Sequence, residues 1–170
     1  MADGRTRVCL DLNVFVAAEI AKVKGHHDST PVRLVDACRA GRFDLVVSRA
    51  MLERLTSVLC RPPLRLSLEL ATERTELIAE LAALPNPIVA GGGVMPLRDV
   101  EDRGVLETAL AGRARYLATY NLADFVGAAT RDPDTGDLRI RDLSILHPAA
   151  LAAKLGISPG VLSPFLRVSV

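Results

Sequence analysis

The sequence predicts an α/β protein, a three-layer α/β/α sandwich around a central parallel sheet. Three observations predict it. Short β-rich or apolar runs recur along the 170 residues, and helix-like stretches separate them. Apolar residues make up 49% of the chain, enough to cover a sheet on both faces.

The candidate strands are 7–11 (RVCLD), 43–48 (FDLVVS), 116–120 (YLATY) and 144–147 (SILH). Helix patterns fill 13–24 and 31–40, the second opened by Thr30 as N-cap and Pro31 as first helical residue. A third helix, 49–60, follows Ser48, a natural N-cap. The stretch 66–84 is rich in leucine, alanine and glutamate, 101–112 has an apolar stripe, and 148–155 runs from Pro148 to Gly156. Two segments break the alternation. Residues 84–97 (LPNPIVAGGGVMPL) read as a loop around a short strand at Ile88–Ala90. Residues 131–142 carry turn signals at Asp132-Pro133 and Thr135-Gly136, then alternation, and read as an inserted hairpin. One domain spanning 1–170 is the simplest division.

Composition removes several classes. No apolar run approaches the roughly 20 residues that cross a bilayer, and the charged N-terminus leads into no signal-peptide core, so a cytoplasmic protein without membrane contact is expected. Cys9, Cys38 and Cys60 are odd in number and lie in apolar surroundings, which points to reduced core thiols. The three histidines do not fall at zinc-ligand spacings with them. Arginine supplies 18 of the 21 basic residues. That is either compositional bias or phosphate recognition, and the arginines are dispersed along the chain rather than gathered in a stripe.

The acids carry the chemical signal. Asp11 sits at the end of the first strand inside the apolar run VCLDLNVFV, where an unpaired carboxylate would cost several kcal/mol. Either Asp11 or Asn13 caps the next helix, or Asp11 serves a site at the carboxyl edge of the sheet. In 97–112, Val105, Leu106, Ala109 and Leu110 form the buried stripe, and Asp102 falls near its centre. Glu101 lies a quarter turn or more away, and Glu107 on the far, solvated side. Glu53 points away from the apolar face of its helix and reads as a surface residue. Asn121 and Asp124 have the spacing of a capped turn, but they also bring oxygen ligands to a second strand's carboxyl end. Such carboxylates, converging without histidine or cysteine, suit Mg²⁺ or Mn²⁺ and phosphodiester hydrolysis.

The runs LDLNVFV, VVSRAMLERLTSVL, DVEDRGVLETALAGRARYLATYNLADF and ILHPAALAAKL together resemble the PIN-domain family, most closely its VapC-like branch of bacterial toxins. The similarity covers about residues 7–155 and is most specific between Asp99 and Phe125. It implies a PIN-like sandwich and a Mg²⁺- or Mn²⁺-dependent endoribonuclease cutting single-stranded or structured RNA, the toxin of a type II toxin–antitoxin system. By the same resemblance Asp11, Glu53, Asp102 and Asp124 are the catalytic acids. Asp11, Asp102 and Asp124 would hold metal, with Asn13, Thr119 and Asn121 as supporting polar residues. Glu53 thereby acquires a role that its periodicity does not indicate. Many relatives carry an aspartate where this chain has Asn121, leaving Asp124 one helical turn on. The implied partners are RNA, a cognate antitoxin and a second copy of the chain. A catalytically degenerate RNA- or protein-binding module is the alternative. A phosphatase of the haloacid dehalogenase type is disfavoured, because it needs Asp-x-Asp where this chain has Asp11-x-Asn13.

Overall fold

β1 (Arg7–Leu10) is an inner strand of the sheet, paired on both sides, and its side chains alternate between two cores. Val8 and Leu10 enter one cluster and Cys9 the other, all three fully buried. A strand buried on both faces must be apolar, and Val8, Cys9 and Leu10 are, while Arg7 stands half-buried at its start. In the computed structural model, which describes residues 4–82, 97 and 99–158, six strands form one sheet in the order β2-β1-β3-β6-β5-β4. β2 (Asp44–Val46), β3 (Tyr116–Ala118) and β6 (Leu143–Leu146) extend the parallel part around β1. β4 (Thr130–Arg131) and β5 (Leu138–Ile140) run antiparallel at one edge. The sheet is therefore mixed rather than wholly parallel. A tight hairpin reverses the chain, so β4 and β5 need no crossover helix.

The helices divide unequally between the faces. α1 (Leu12–Val23), α2 (Thr30–Arg39), α3 (Arg49–Leu59), α4 (Leu68–Glu80) and α6 (Pro148–Lys154) supply most of one core. α5 (Val100–Ala111) covers the other face with Val105, Leu106 and Ala109, helped by Phe125 from a 3₁₀ turn at Leu122–Phe125. Burying each such leucine or phenylalanine contributes about 1.5–3 kcal/mol. The result is a three-layer α/β sandwich.

Local signals fix most helix starts. Ser48 accepts from the Met51 amide at 3.2 Å and Ser67 from the Leu70 amide at 3.2 Å. Asp99 accepts from the Glu101 amide at 2.7 Å, and His147 Nδ1 from the Ala149 amide at 3.2 Å. At α2 the cap lies one residue earlier than the sequence indicates: Ser29 is N-cap and Thr30 already helical. Pro31 then occupies the second position, where its missing N–H costs nothing. Glu107 is half-buried rather than solvated. α5 packs on β1, β3 and α3, which covers more of its circumference than one apolar stripe implies. The three cysteines are free, two of them buried. The expected loop at 84–97, with its strand at Ile88–Ala90, lies outside the described residues except for buried Leu97. Among the described residues, no helix is long and apolar enough to cross a membrane.

Residues 131–142 form most of the β4–β5 hairpin and the turn into β6. Asp132 organises it, accepting from the amides of Asp134 and Thr135 and from Arg139 Nη1 at 2.9–3.0 Å. These donors, the Thr135 amide first, hold its carboxyl down to about 2.

Candidate active site

Parallel pairing places the carboxyl ends of β1 and β3 side by side, with Leu10 opposite Ala118. The next residues are Asp11 and Thr119. The Asp11 amide donates to the Ala118 carbonyl at 2.9 Å, and the Thr119 amide to the Leu146 carbonyl at 2.9 Å. Both residues are buried, Thr119 completely. Asp11 is the N-cap of α1 by position, yet its carboxylate makes no cap hydrogen bond. Instead Thr119 Oγ1 donates to Asp11 Oδ2 at 2.7 Å, and Asn13 Nδ2 donates to the same oxygen at 3.2 Å. Asn13 Nδ2 also reaches Thr119 Oγ1 at 3.2 Å. The Asn121 amide donates to Thr119 Oγ1 at 3.1 Å, and the Tyr120 amide to Asn13 Oδ1 at 3.4 Å. The hydrogen bonds thus lock one carboxylate in a fixed orientation at the sheet edge.

Burial, first, raises the pKa of Asp11, while the hydroxyl of Thr119 and the nearby dipoles of the Leu12 and Asn13 amides, which do not meet hydrogen-bond geometry, pull it down and Glu101 pushes it up. Asp102, half-buried in the first turn of α5, is pushed up to about 6. Desolvation is again the largest cause, followed by the charges of Asp11, Asp124, Asp99 and Glu101. Repulsion is reciprocal, so Asp102 also bears on Asp11. Asp11, Asp102 and Asp124 therefore share one electrostatic environment although they lie far apart in the chain. Asp124 is exposed, in the 3₁₀ turn. Asn121 stands at the head of that turn without a side-chain cap bond, so a capped turn does not account for its side chain.

Glu53 is exposed on α3 and is not among the charges that bear on Asp11 or Asp102. Its neighbour Arg54 reaches across to α5 and pairs with Glu101. The place of Glu101 on the helix does not mark it as a candidate, yet its charge acts on both buried acids. Only its membership in the run DVED signals it; nothing in the sequence signals Arg54. Periodicity and spacing do not single out Tyr120 or His147 either. Their rings meet edge to face at 5.1 Å, and the two residues follow the carboxyl ends of β3 and β6.

The donors are all oxygen, the chemistry of a hard divalent cation. Among the described residues, no three His, Cys, Asp or Glu side chains stand together as a ready set of metal ligands. What favours a cation is the unrelieved repulsion around Asp102 and the buried charge of Asp11.

The family model of the PIN domain matches residues 7–123, more than half of the chain. The chain belongs to the PIN-domain family. PIN domains are typically nucleases that act on RNA and generally use divalent metals, so hydrolysis of phosphodiesters is the activity that membership supports. The match includes Asp11, Asn13, Glu53, Asp102, Thr119 and Asn121 and stops one residue short of Asp124. No curated protein and no solved structure is similar enough to the chain to count as a match.

Proposed function

We propose that this PIN domain is a Mg²⁺- or Mn²⁺-dependent endoribonuclease, with Asp11, Asp102 and Asp124 as the residues that would hold the cation. The observation that carries the reading is the buried Asp11 carboxylate, held by Thr119 and Asn13, whose charge bears on Asp102 together with that of Asp124. When bound, the cation supplies an activated water and neutralises charge on the scissile phosphate. The protein contributes orientation. Thr119 and Asn13 occupy one oxygen of Asp11, which leaves Oδ1 without a side-chain donor. Asp102 and Asp124 add negative charge that favours a cation over a bare phosphate. Tyr120, 37% exposed, presents an aromatic surface on which an unpaired RNA base can stack. Glu53 is a fourth acid on the strength of the resemblance alone, and it would have to act from an exposed position on α3.

The assignment as toxin of a type II system rests on the resemblance of the four sequence runs. Growth arrest on expression, relieved by a protein encoded beside it, is the expected outcome. Purified protein is expected to cut RNA with Mg²⁺ or Mn²⁺, and Asp11→Asn or Asp102→Asn to abolish cutting without loss of fold. Cleavage that survives both changes would overturn the assignment. Asn121, in place of an acid, and the incomplete convergence of the carboxylates favour a second reading, a binding module without catalysis. Calorimetric titration with Mn²⁺ separates the two, since only a nuclease centre binds in a way that depends on Asp11 and Asp102.

A further inference from the structure

Four of the 18 arginines that lie scattered in the sequence gather at the opposite end of the sheet. Arg113 and Arg115 precede β3, Arg139 lies on β5, and Arg141 stands in the turn between β5 and β6. The four line one open cavity of about 580 Å³, with Asp142 the one acid in its lining. That volume suits a nucleotide-sized ligand rather than a single small ion.

Arg139 is engaged by Asp132 at 3.0 Å, though its Nε is buried without a partner. The other three form no ion pair or side-chain hydrogen bond among the described residues. Arg115 lies 5.4 Å over the ring of Tyr116, which steadies its guanidinium while leaving its donors available. Arg7 Nη1 donates to the Gly112 carbonyl at 3.2 Å, covering the negative end of α5 that would repel an anion.

The backbone adds an observation about residue choice. Arg113 and Arg141 have φ of 53° and 55°, in the left-handed region where glycine is favoured. Two arginines thus occupy positions that local conformation disfavours, and both enter the same cavity. Exposed Arg65, outside the cavity, has the same conformation with φ of 50°, so at Arg113 and Arg141 the turns set where the guanidinium groups start and not what they bind.

We propose that this cavity binds backbone phosphates of the RNA strand, at the end of the sheet remote from the carboxylates. The inference rests on the nuclease reading for the identity of the ligand. Arg115 and Thr119 are four residues apart along β3, roughly 13 Å, so one RNA strand can meet both ends by following the surface.

The test is equilibrium binding of a fluorescent single-stranded RNA of a few tens of nucleotides, in EDTA, across a salt series. Arg113→Gly with Arg141→Gly removes two charges at backbone positions that glycine prefers. The double variant is expected to bind about tenfold more weakly, with a salt slope lower by roughly 0.7 for each phosphate no longer neutralised. Arg113→Lys with Arg141→Lys is expected to recover most of the slope. Cleavage of a trinucleotide, too short to reach the cavity, is expected to be unchanged in both variants. Unaltered RNA affinity and slope in the folded glycine variant would overturn the proposal. So would loss of binding to an acidic peptide with RNA binding intact, which would assign the cavity to a protein partner. If wild-type protein binds RNA through these arginines but cuts none, the nuclease reading fails and the cavity stands. If it cuts RNA and the variants bind normally, only the cavity fails.

Discussion

The two ends of one sheet carry opposite charge, and they manage it differently. At the carboxyl end, Asp11 is buried and hydrogen-bonded, and its field helps to push Asp102 up to about 6. At the amino end, Arg113, Arg115 and Arg141 line an open cavity. Desolvation magnifies the first set, because charges removed from water interact strongly. Water screens the second, which acts by attraction over distance and weakens with salt. Like charge in a buried site therefore calls for one tightly held counter-ion, whereas like charge on an open surface suits an extended polyanion.

The largest test of that contrast is Asp11→Asn. Cleavage is expected to fall by a factor on the order of 100 or more, while thermal melting stays level or rises because a buried charge is gone. RNA binding in EDTA is expected to persist. A variant that loses RNA binding in step with cleavage would erase the distinction between the two ends.

Thr119→Val comes next. It removes the donor to Asp11 and the acceptor for the Asn121 amide, and is expected to cost about 1–3 kcal/mol in chemical denaturation. Cleavage is also expected to drop, because Asp11 loses its fixed orientation.

Protonation sharpens the comparison further. The carboxyl of Asp102 is raised from 3.8 to about 6, so its contribution to stability is present below pH 3.8 and lost as pH rises through about 6. Metal-free protein is therefore expected to melt lower at pH 7 than at pH 5, in this part of its pH profile. Mn²⁺ is expected to raise the melting temperature at pH 7 and to lose that effect below about pH 6, where protons compete for the same carboxylate. Equal stabilisation by Mn²⁺ at pH 5 and pH 7 would remove Asp102 from the cation's ligands. Arginine does not titrate in this range, so salt-dependent RNA binding should hold across it.

Tyr120→Ala is expected to weaken binding of single-stranded RNA by about 1–3 kcal/mol, the range for lost base stacking. Single Arg113→Gly or Arg141→Gly should change folding stability by no more than about 1 kcal/mol, since relief of the left-handed backbone offsets the added chain entropy. Differential denaturant melts resolve effects of that size.

Much of this molecule is readable from the chain. Local patterns predict the four parallel strands at 7–11, 43–48, 116–120 and 144–147, and they form within those spans or one residue outside them. All six helices are predicted too, with ends that coincide or shift by up to four residues. Strands buried on both faces must be apolar, and helices on a sheet must repeat an apolar stripe, so local composition reports them directly. The antiparallel edge is half visible: turn signals mark the hairpin, but nothing local shows that it joins the sheet beside β6.

Asp11 stands out because a carboxylate in an apolar strand demands a partner, and Asp102 because it faces the way the leucines face. The sequence by itself therefore determined the helices, the parallel strands and two of the acids. Only the tertiary structure decided which charges meet. Thr119 on Asp11, Arg54 on Glu101, and Arg113 beside Arg141 join residues that are distant in the chain and lie on different elements. A side chain's direction is local, but its neighbour depends on how strands and helices pack, and no period in the chain encodes that.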